Sequence, residues 1–145
     1  MISRVMPLSL ALVLLATTCN IRLGVRQALE PPASSDCLAA AIASSPDVES
    51  IAERRQGRFG VYFRDSTVKN GKRGGSIFAS APDSAHAVTV NFFWDGVQHP
   101  AVAEERTVTA LAGRVLRHLT AACAPLSTSI VECTYSSGRR PQSCV

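Results

Sequence analysis

The sequence lacks the short motifs by which many enzymes are recognised. It contains no G-x-S-x-G nucleophile elbow, no phosphate-binding loop, no dinucleotide fingerprint and no calcium-binding loop. No Cys-x-x-Cys pair and no Cys/His pair has the spacing of a zinc site. The histidines His86, His99 and His118 are far apart in the sequence, so a Ser–His–Asp site would have to assemble in the fold. These absences predict no catalytic residues, no metal ligands and no cofactor.

Charged residues are also scarce, and neither glycine nor proline is enriched. Charged residues make up 18% of the chain, and there are 9 glycines and 8 prolines among 145 residues, while 46% of the residues are hydrophobic. This composition excludes a disordered, collagen-like or coiled-coil chain. A chain of 145 residues and 15.4 kDa is of the size expected for one domain.

A hydrophobic run lies at the amino terminus. Residues 1–4 carry one positive charge and no acidic residue, and residues 5–16 read VMPLSLALVLLA. As a helix this run would be about 18 Å long, whereas the hydrocarbon core of a bilayer is about 30 Å thick. The run therefore predicts the hydrophobic region of a signal peptide rather than a membrane span. A buried core helix at this position is the alternative.

The run ends in the segment Leu15-Ala16-Thr17-Thr18-Cys19. This segment resembles the lipobox of bacterial lipoproteins, in which the cysteine is lipidated and becomes the first residue of the mature chain. The resemblance implies a signal peptide over 1–18 and a lipid anchor on Cys19 that attaches the protein to a membrane of the bacterial envelope, on the periplasmic side. Asn20 is not the aspartate that such families often use for retention in the inner membrane, which favours the outer membrane. Cleavage by an ordinary signal peptidase at the same bond also fits and would give a secreted protein.

The number of cysteines supports export and lipidation. The chain has five, an odd number, and an exported chain rarely leaves a thiol free in an oxidising compartment. If Cys19 carries lipid, four remain for two disulfides. Cys37 is expected at the start of the first helix and Cys123 at the end of the last, while Cys133 and Cys144 flank a Gly/Pro turn. Pairing Cys37 with Cys123 and Cys133 with Cys144 fits this order best, although three pairings are possible.

The rest of the chain predicts one domain of the α+β class. Residues 19–35 contain Pro31 and Pro32 and show no sustained periodicity of apolar residues, so we expect them to form a lipid-anchored tether. We expect residues 36–145 to form the domain. Apolar periodicity predicts helices over 36–44 and 101–123, and strands over 48–55, 59–65, 76–80, 86–95 and 130–135. The segment after Pro46 fits a second helix almost as well as a strand. The expected architecture is a disulfide-linked two-layer sandwich, in which an antiparallel sheet of about four strands has both helices on one face.

Basic residues are concentrated in one part of the predicted domain. Residues 54–73 contain seven of them against one acid, Asp65: Arg54, Arg55, Arg58, Arg64, Lys69, Lys72 and Arg73. This concentration predicts either a solvated surface or an anion-binding face, with Tyr62 beside Arg64 for stacking. The anions of the periplasm that fit are lipid headgroups, lipopolysaccharide phosphates and acidic proteins. Nucleic acid does not fit that compartment.

These features together favour a small envelope lipoprotein. Its domain is expected to be a non-enzymatic binding or structural module that recognises an anionic partner through the basic hairpin. Two alternatives remain open at this point. One is a periplasmic hydrolase whose site forms only in the fold, and the other is a secreted soluble inhibitor or effector.

The mature amino terminus separates the lipoprotein from the secreted protein. We expect the mature chain to begin at Cys19, with acyl chains that raise its mass above that of the unmodified polypeptide. Mass spectrometry of the purified mature protein measures this. An unmodified Cys19 amine would contradict the lipid anchor and would leave ordinary secretion.

Overall fold

The computed structural model describes residues 20–144. The predicted signal peptide over 1–18 and the expected lipid anchor at Cys19 lie outside the described residues. The described chain forms eight elements. They are β1 (Ile21–Ala33), α1 (Ser35–Ser44), β2 (Val48–Arg55), β3 (Arg58–Arg64), β4 (Lys72–Ala79), β5 (Ala85–Trp94), α2 (Val102–Cys123) and β6 (Glu132–Tyr135).

The strands form one sheet in the order β2-β3-β4-β5-β1-β6, and every pair of hydrogen-bonded neighbours is antiparallel. The prediction of an α+β fold with an antiparallel sheet and two helices is confirmed. The prediction of about four strands is wrong, because the sheet has six. The segment after Pro46 forms the strand β2 rather than a second helix.

The largest correction concerns residues 21–33, which fall in the predicted tether but form β1. This strand lies between β5 and β6, with Leu23 opposite Phe92 on one side and Tyr135 on the other. The alternation of buried and exposed residues from Ile21 onwards is that of a strand with one buried face. Two prolines at the far end obscure this pattern in the sequence. They fall where the β1–β5 register shifts between Ala28 and Ala33, so they remove no hydrogen bond from the regular part of the strand.

The strand β4 also begins earlier than the sequence predicts. The glycine pair Gly74-Gly75, which precedes the predicted strand over 76–80, lies inside it. A Cβ atom on Gly75 would lie 2.6 Å from the Asn91 carbonyl oxygen and 2.7 Å from the Phe63 ring. Glycine is therefore required here for the close approach of a neighbouring strand and an aromatic ring, not for a turn.

The core lies between one face of the sheet and the apolar faces of the two helices. Buried residues of β1, β3, β4 and β5 form one cluster with those of α1 and α2. The apolar stripe predicted for the long helix is buried over its central part, at Val108, Leu111, Ala112, Val115, Leu116 and Leu119. We call the sheet face that joins this cluster the inner face and the opposite one the outer face.

Two disulfides link distant parts of this core, with the pairing that the sequence favours. Cys37 in α1 is bonded to Cys123 at the end of α2, and Cys133 in β6 is bonded to Cys144 near the end of the chain. Their sequence separations are 86 and 11 residues. In the chain-entropy model such links stabilise the fold by about 4.6 and about 2.8 kcal/mol respectively, as upper values. The first is a sizeable part of the ~5–15 kcal/mol by which a domain is normally stable.

Replacement of Gly75 by alanine tests the close approach in β4. We expect Gly75→Ala to lower the free energy of unfolding by about 1–3 kcal/mol, because its methyl group overlaps a backbone oxygen and a core ring. Gly74→Ala is the matched control. Its Cβ atom would meet nothing closer than the Tyr62 ring at 3.9 Å. Urea denaturation of both variants gives the comparison, and equal stabilities would contradict the requirement for glycine at residue 75.

Candidate functional site

The structure divides the seven basic residues of the predicted anion-binding face. Three of them lie on the outer face: Arg58, Arg64 and Lys72. Arg58 and Arg64 alternate with the inward-facing residues of β3, and Lys72 of β4 is paired directly with Arg64. Arg73 occupies an inner-face position in β4, opposite Phe63. Arg54 is paired with buried Phe59, and its guanidinium carbon lies 5.7 Å from the centre of that ring.

Four of the seven are also paired with carboxylates. The nitrogen–oxygen distances are 3.0 Å for Arg54–Asp36, 2.6 Å for Arg55–Glu53, 2.7 Å for Arg64–Glu49 and 2.7 Å for Arg73–Asp65. For Arg58, Lys69 and Lys72, no carboxylate of residues 20–144 lies within 4.0 Å. The seven residues are therefore not brought together as one patch, and three of them are available for an external anion.

Arg73 links several elements of the fold. Its side chain is only 11% exposed and bonds to Asp65 after β3 and to Glu104 in the first turn of α2. Glu104 also accepts a hydrogen bond from the Trp94 indole. Burial alone would raise the pKa of the Asp65 carboxyl, but hydrogen bonds from Thr67 and Arg73 lower that pKa below its ordinary value. Arg73 thus holds the β3–β4 loop against the helix.

The outer face carries aromatic side chains as well as cations. Tyr62 is 45% exposed, Phe78 48% and Phe93 46%. Phe78 and Phe93 each follow a buried residue of the same strand, Ile77 and Phe92, as period-two alternation requires. The sequence pattern associates Tyr62 with the basic residues but gives no such indication for Phe78 or Phe93.

Strand pairing arranges these side chains in rows across the sheet. One row of small or short polar residues crosses five strands and contains Gly60, Ser76, Asn91, Gly24 and Thr134. The row on one side contains Arg58, Phe78, Thr89, Arg26 and Glu132. The row on the other side contains Tyr62 opposite Gly74 and Phe93 opposite Arg22. The middle row is therefore a shallow groove between two rows of aromatic and basic side chains.

The β1 end of this groove forms a hollow of about 190 Å³ whose lining includes Arg22, Arg26 and Asn91. Gly24 is its floor, and a Cβ atom there would lie 3.2 Å from the Asn91 side-chain oxygen. Arg26 faces Glu132 at 3.7 Å, and Arg22 has no carboxylate of the described chain within 4.0 Å. Arg22 and Arg26 carry no signal of a site in the sequence, because the segment that contains them reads as a tether.

A buried carboxylate fixes the carboxyl-terminal tail. Glu105 in the first turn of α2 is 2% exposed and accepts hydrogen bonds from the Tyr135 hydroxyl at 2.7 Å and the Gln142 amide at 2.8 Å. The amide and hydroxyl of Ser143 also donate to it. Burial alone would raise the pKa of Glu105, but these four donors lower that pKa below its ordinary value. For the Tyr135 hydroxyl, burial and the charge on Glu105 both raise the pKa.

Two histidines contact serine hydroxyls. His118 Nε2 lies 3.0 Å from Ser44 Oγ, and His99 Nε2 lies 2.8 Å from Ser137 Oγ. No carboxylate among residues 20–144 is hydrogen-bonded to either ring, so neither pair has the third member of a Ser–His–acid triad there. Within the same residues, no three His, Cys, Asp or Glu side chains are grouped to hold a metal ion.

Comparisons with known proteins add no family to these observations. No protein-family model matches the chain, and no curated protein and no solved structure gives a significant match. Neither helix of the described chain combines the length and apolar character needed to cross a bilayer.

The buried carboxylate makes stability dependent on pH. The folded-state pKa of Glu105 is below its ordinary value of 4.5, so its contribution is present above that pH and is lost as the pH falls through the folded-state pKa. We expect Glu105→Gln to cost about 1–3 kcal/mol at neutral pH and less in acid. Denaturation of wild type and variant, from neutral pH to below pH 4.5, measures the difference in their free energies of unfolding.

Glu132→Gln is the control for this experiment, because Glu132 is exposed and faces Arg26 only at 3.7 Å. Its effect should stay within about 0.5 kcal/mol at every pH. A Glu105→Gln cost that did not change with pH would contradict the role of the ionised carboxylate.

Proposed function

We propose that this protein is a lipid-anchored, non-enzymatic binding module of the bacterial envelope whose outer sheet face lies on an anionic lipid surface. The observation that carries the proposal is the outer face itself. Its groove is bordered by three half-exposed aromatic side chains, and the face carries three cations, Arg22, Arg58 and Lys72, that have no carboxylate of the described chain within 4.0 Å. Aromatic and basic side chains together are typical of surfaces that bind anionic membranes.

The position of β1 supports a membrane as the partner. The strand begins at Ile21, two residues after the expected lipid on Cys19, so a fully extended chain spans only about 7 Å between them. The lipid would therefore hold the domain against the bilayer, not at the end of a tether. Arg22, the next residue, already belongs to the outer face, opposite Phe93.

Charge on the outer face favours anions. Six basic residues occupy it: Arg22, Arg26, Arg55, Arg58, Arg64 and Lys72. Three carboxylates, Glu49, Glu53 and Glu132, are paired with members of this set. The three cations without such a partner are Arg22 and Arg58 beside the groove and Lys72 one row further along the face, and phosphate groups of phospholipid or lipopolysaccharide would meet them there. Both sources present the same oxyanion chemistry.

Vesicle binding tests the proposal. The mature chain carrying Cys19→Ser, which has no lipid anchor, should bind phosphatidylcholine vesicles that contain phosphatidylglycerol and should not bind phosphatidylcholine alone. Binding should weaken as salt is added, because exposed charges are screened. Each basic residue near an anionic surface contributes about 1 kcal/mol, so Arg58→Gln/Lys72→Gln should reduce the partition coefficient about 30-fold.

Lys69→Gln/Arg139→Gln is the matched control, since it removes the same charge from two exposed loop positions outside the outer face. Co-sedimentation measures all three proteins, and added lipopolysaccharide as a competitor distinguishes the two sources of phosphate. Equal binding to both kinds of vesicle, or equal losses in the two double variants, would contradict the proposal. An absence of vesicle binding alongside salt-sensitive capture of an acidic protein would replace the membrane by that protein.

A further inference from the structure

A cleft of the described chain lies apart from the outer face. It lies between α2 and the inner side of β1 and β6, with a volume of about 410 Å³, within the range of about 300–1,000 Å³ for small-molecule sites. Val25 and Gln27 of β1 form part of one side, and Val131 and the Cys133–Cys144 disulfide continue it. Helix α2 forms the other side.

The helix presents a basic stripe to this cleft. Arg106, Gly113 and Arg117 are separated by seven and four residues, which places them on one side of α2 at 3.6 residues per turn. A Cβ atom on Gly113 would lie 3.5 Å from Arg117 Nη1, so the guanidinium lies over the glycine within the cleft. Because Gly113 has no side chain, the space beside this guanidinium stays open.

The cations of the stripe are not neutralised within the described chain. No carboxylate of residues 20–144 lies within 4.0 Å of Arg106 or Arg117, whereas the third arginine of the cleft, Arg114, is bonded to Asp47 at 3.0 Å. The lining contains no Asp or Glu. Glu105 lies behind Ser143, with its charge already satisfied by four hydrogen bonds.

Apart from the arginines, the lining is apolar or carries uncharged polar groups in fixed positions. Thr109 donates a hydrogen bond to Ser143, which in turn donates to buried Glu105. The amide of Gln27 donates to the Thr128 carbonyl oxygen. These contacts hold the tail and the segment before β6 in place, so the cleft is preformed.

We propose that this cleft binds a small organic anion in which one oxyanion group, a carboxylate or a phosphate monoester, is attached to a short apolar body. The oxyanion lies against Arg117, where it makes charge-assisted hydrogen bonds. Arg106, eleven residues away on the same side of α2, adds positive charge to the other end of the cleft. The apolar body packs against Val25, Val131 and the Cys133–Cys144 disulfide. This site does not depend on the outer face, which is on the other side of the sheet.

Four probes separate the contributions to binding. Calorimetry with the Cys19→Ser mature chain should show saturable binding of hexanoate and hexyl phosphate. Hexyl glucoside has the same apolar body without the charge, and inorganic phosphate has the charge without the apolar body. Each should bind at least about tenfold more weakly than the hexyl anions, which corresponds to a difference of about 1.4 kcal/mol in binding free energy. A preference between hexanoate and hexyl phosphate identifies the oxyanion. Equal affinity for the neutral glucoside, or no binding of either hexyl anion, would overturn the proposal.

Two variants place the ligand in the cleft. Arg117→Gln should weaken hexyl phosphate binding about tenfold. Gly113→Leu should abolish binding because its side chain fills the space beside the guanidinium. Its thermal midpoint should be equal or higher, since leucine favours a helix more than glycine does. Lys69→Gln, which removes one exposed cation from the loop between β3 and β4, is the control and should bind like wild type. Unchanged binding in Gly113→Leu would show that the ligand lies elsewhere.

Discussion

The insertion of β1 between β5 and β6 is the constraint on which the rest of the structure depends. Leu23 is paired with Phe92 on one side and Tyr135 on the other, so the first described strand joins the central hairpins to the end of the chain. Without it, β6 would have no neighbour in the sheet. The outward residues of β1 complete the groove and its inward residues line the cleft, so both candidate sites depend on the same strand.

The carboxyl-terminal end is held by electrostatics and by a covalent link. Glu105 ties Tyr135 and the tail to the first turn of α2, and the Cys133–Cys144 disulfide closes the same segment from the other side. A carboxylate at a helix amino terminus is favourably placed in the field of the helix, which also supports its ionised form. The tail therefore forms a fixed side of the cleft.

Local patterns in the sequence predicted most of the elements but little of either candidate site. The alternation in β3 and β5 and the apolar stripe of α2 are strong because each buries one face against a single core. The basic segment 54–73 pointed to the outer face only in part, because inner-face Arg73 and outer-face Lys72 are adjacent in sequence. The cleft had no sequence signal, since Arg106, Gly113 and Arg117 read as the solvent side of an amphipathic helix.

The sequence by itself determined the α+β class, both helices and the favoured disulfide pairing, because these follow from local periodicity and from the ends of helices and turns. Only the tertiary structure decided that residues 21–33 are a strand inside the sheet. Its hydrogen-bond partners lie more than fifty residues away, and no local pattern specifies them. Tertiary structure likewise decided which basic residues face solvent and which meet a buried carboxylate. The environment of each basic residue depends on the register between strands and on which elements pack against each face of the sheet. The order of charged residues along the chain specifies neither.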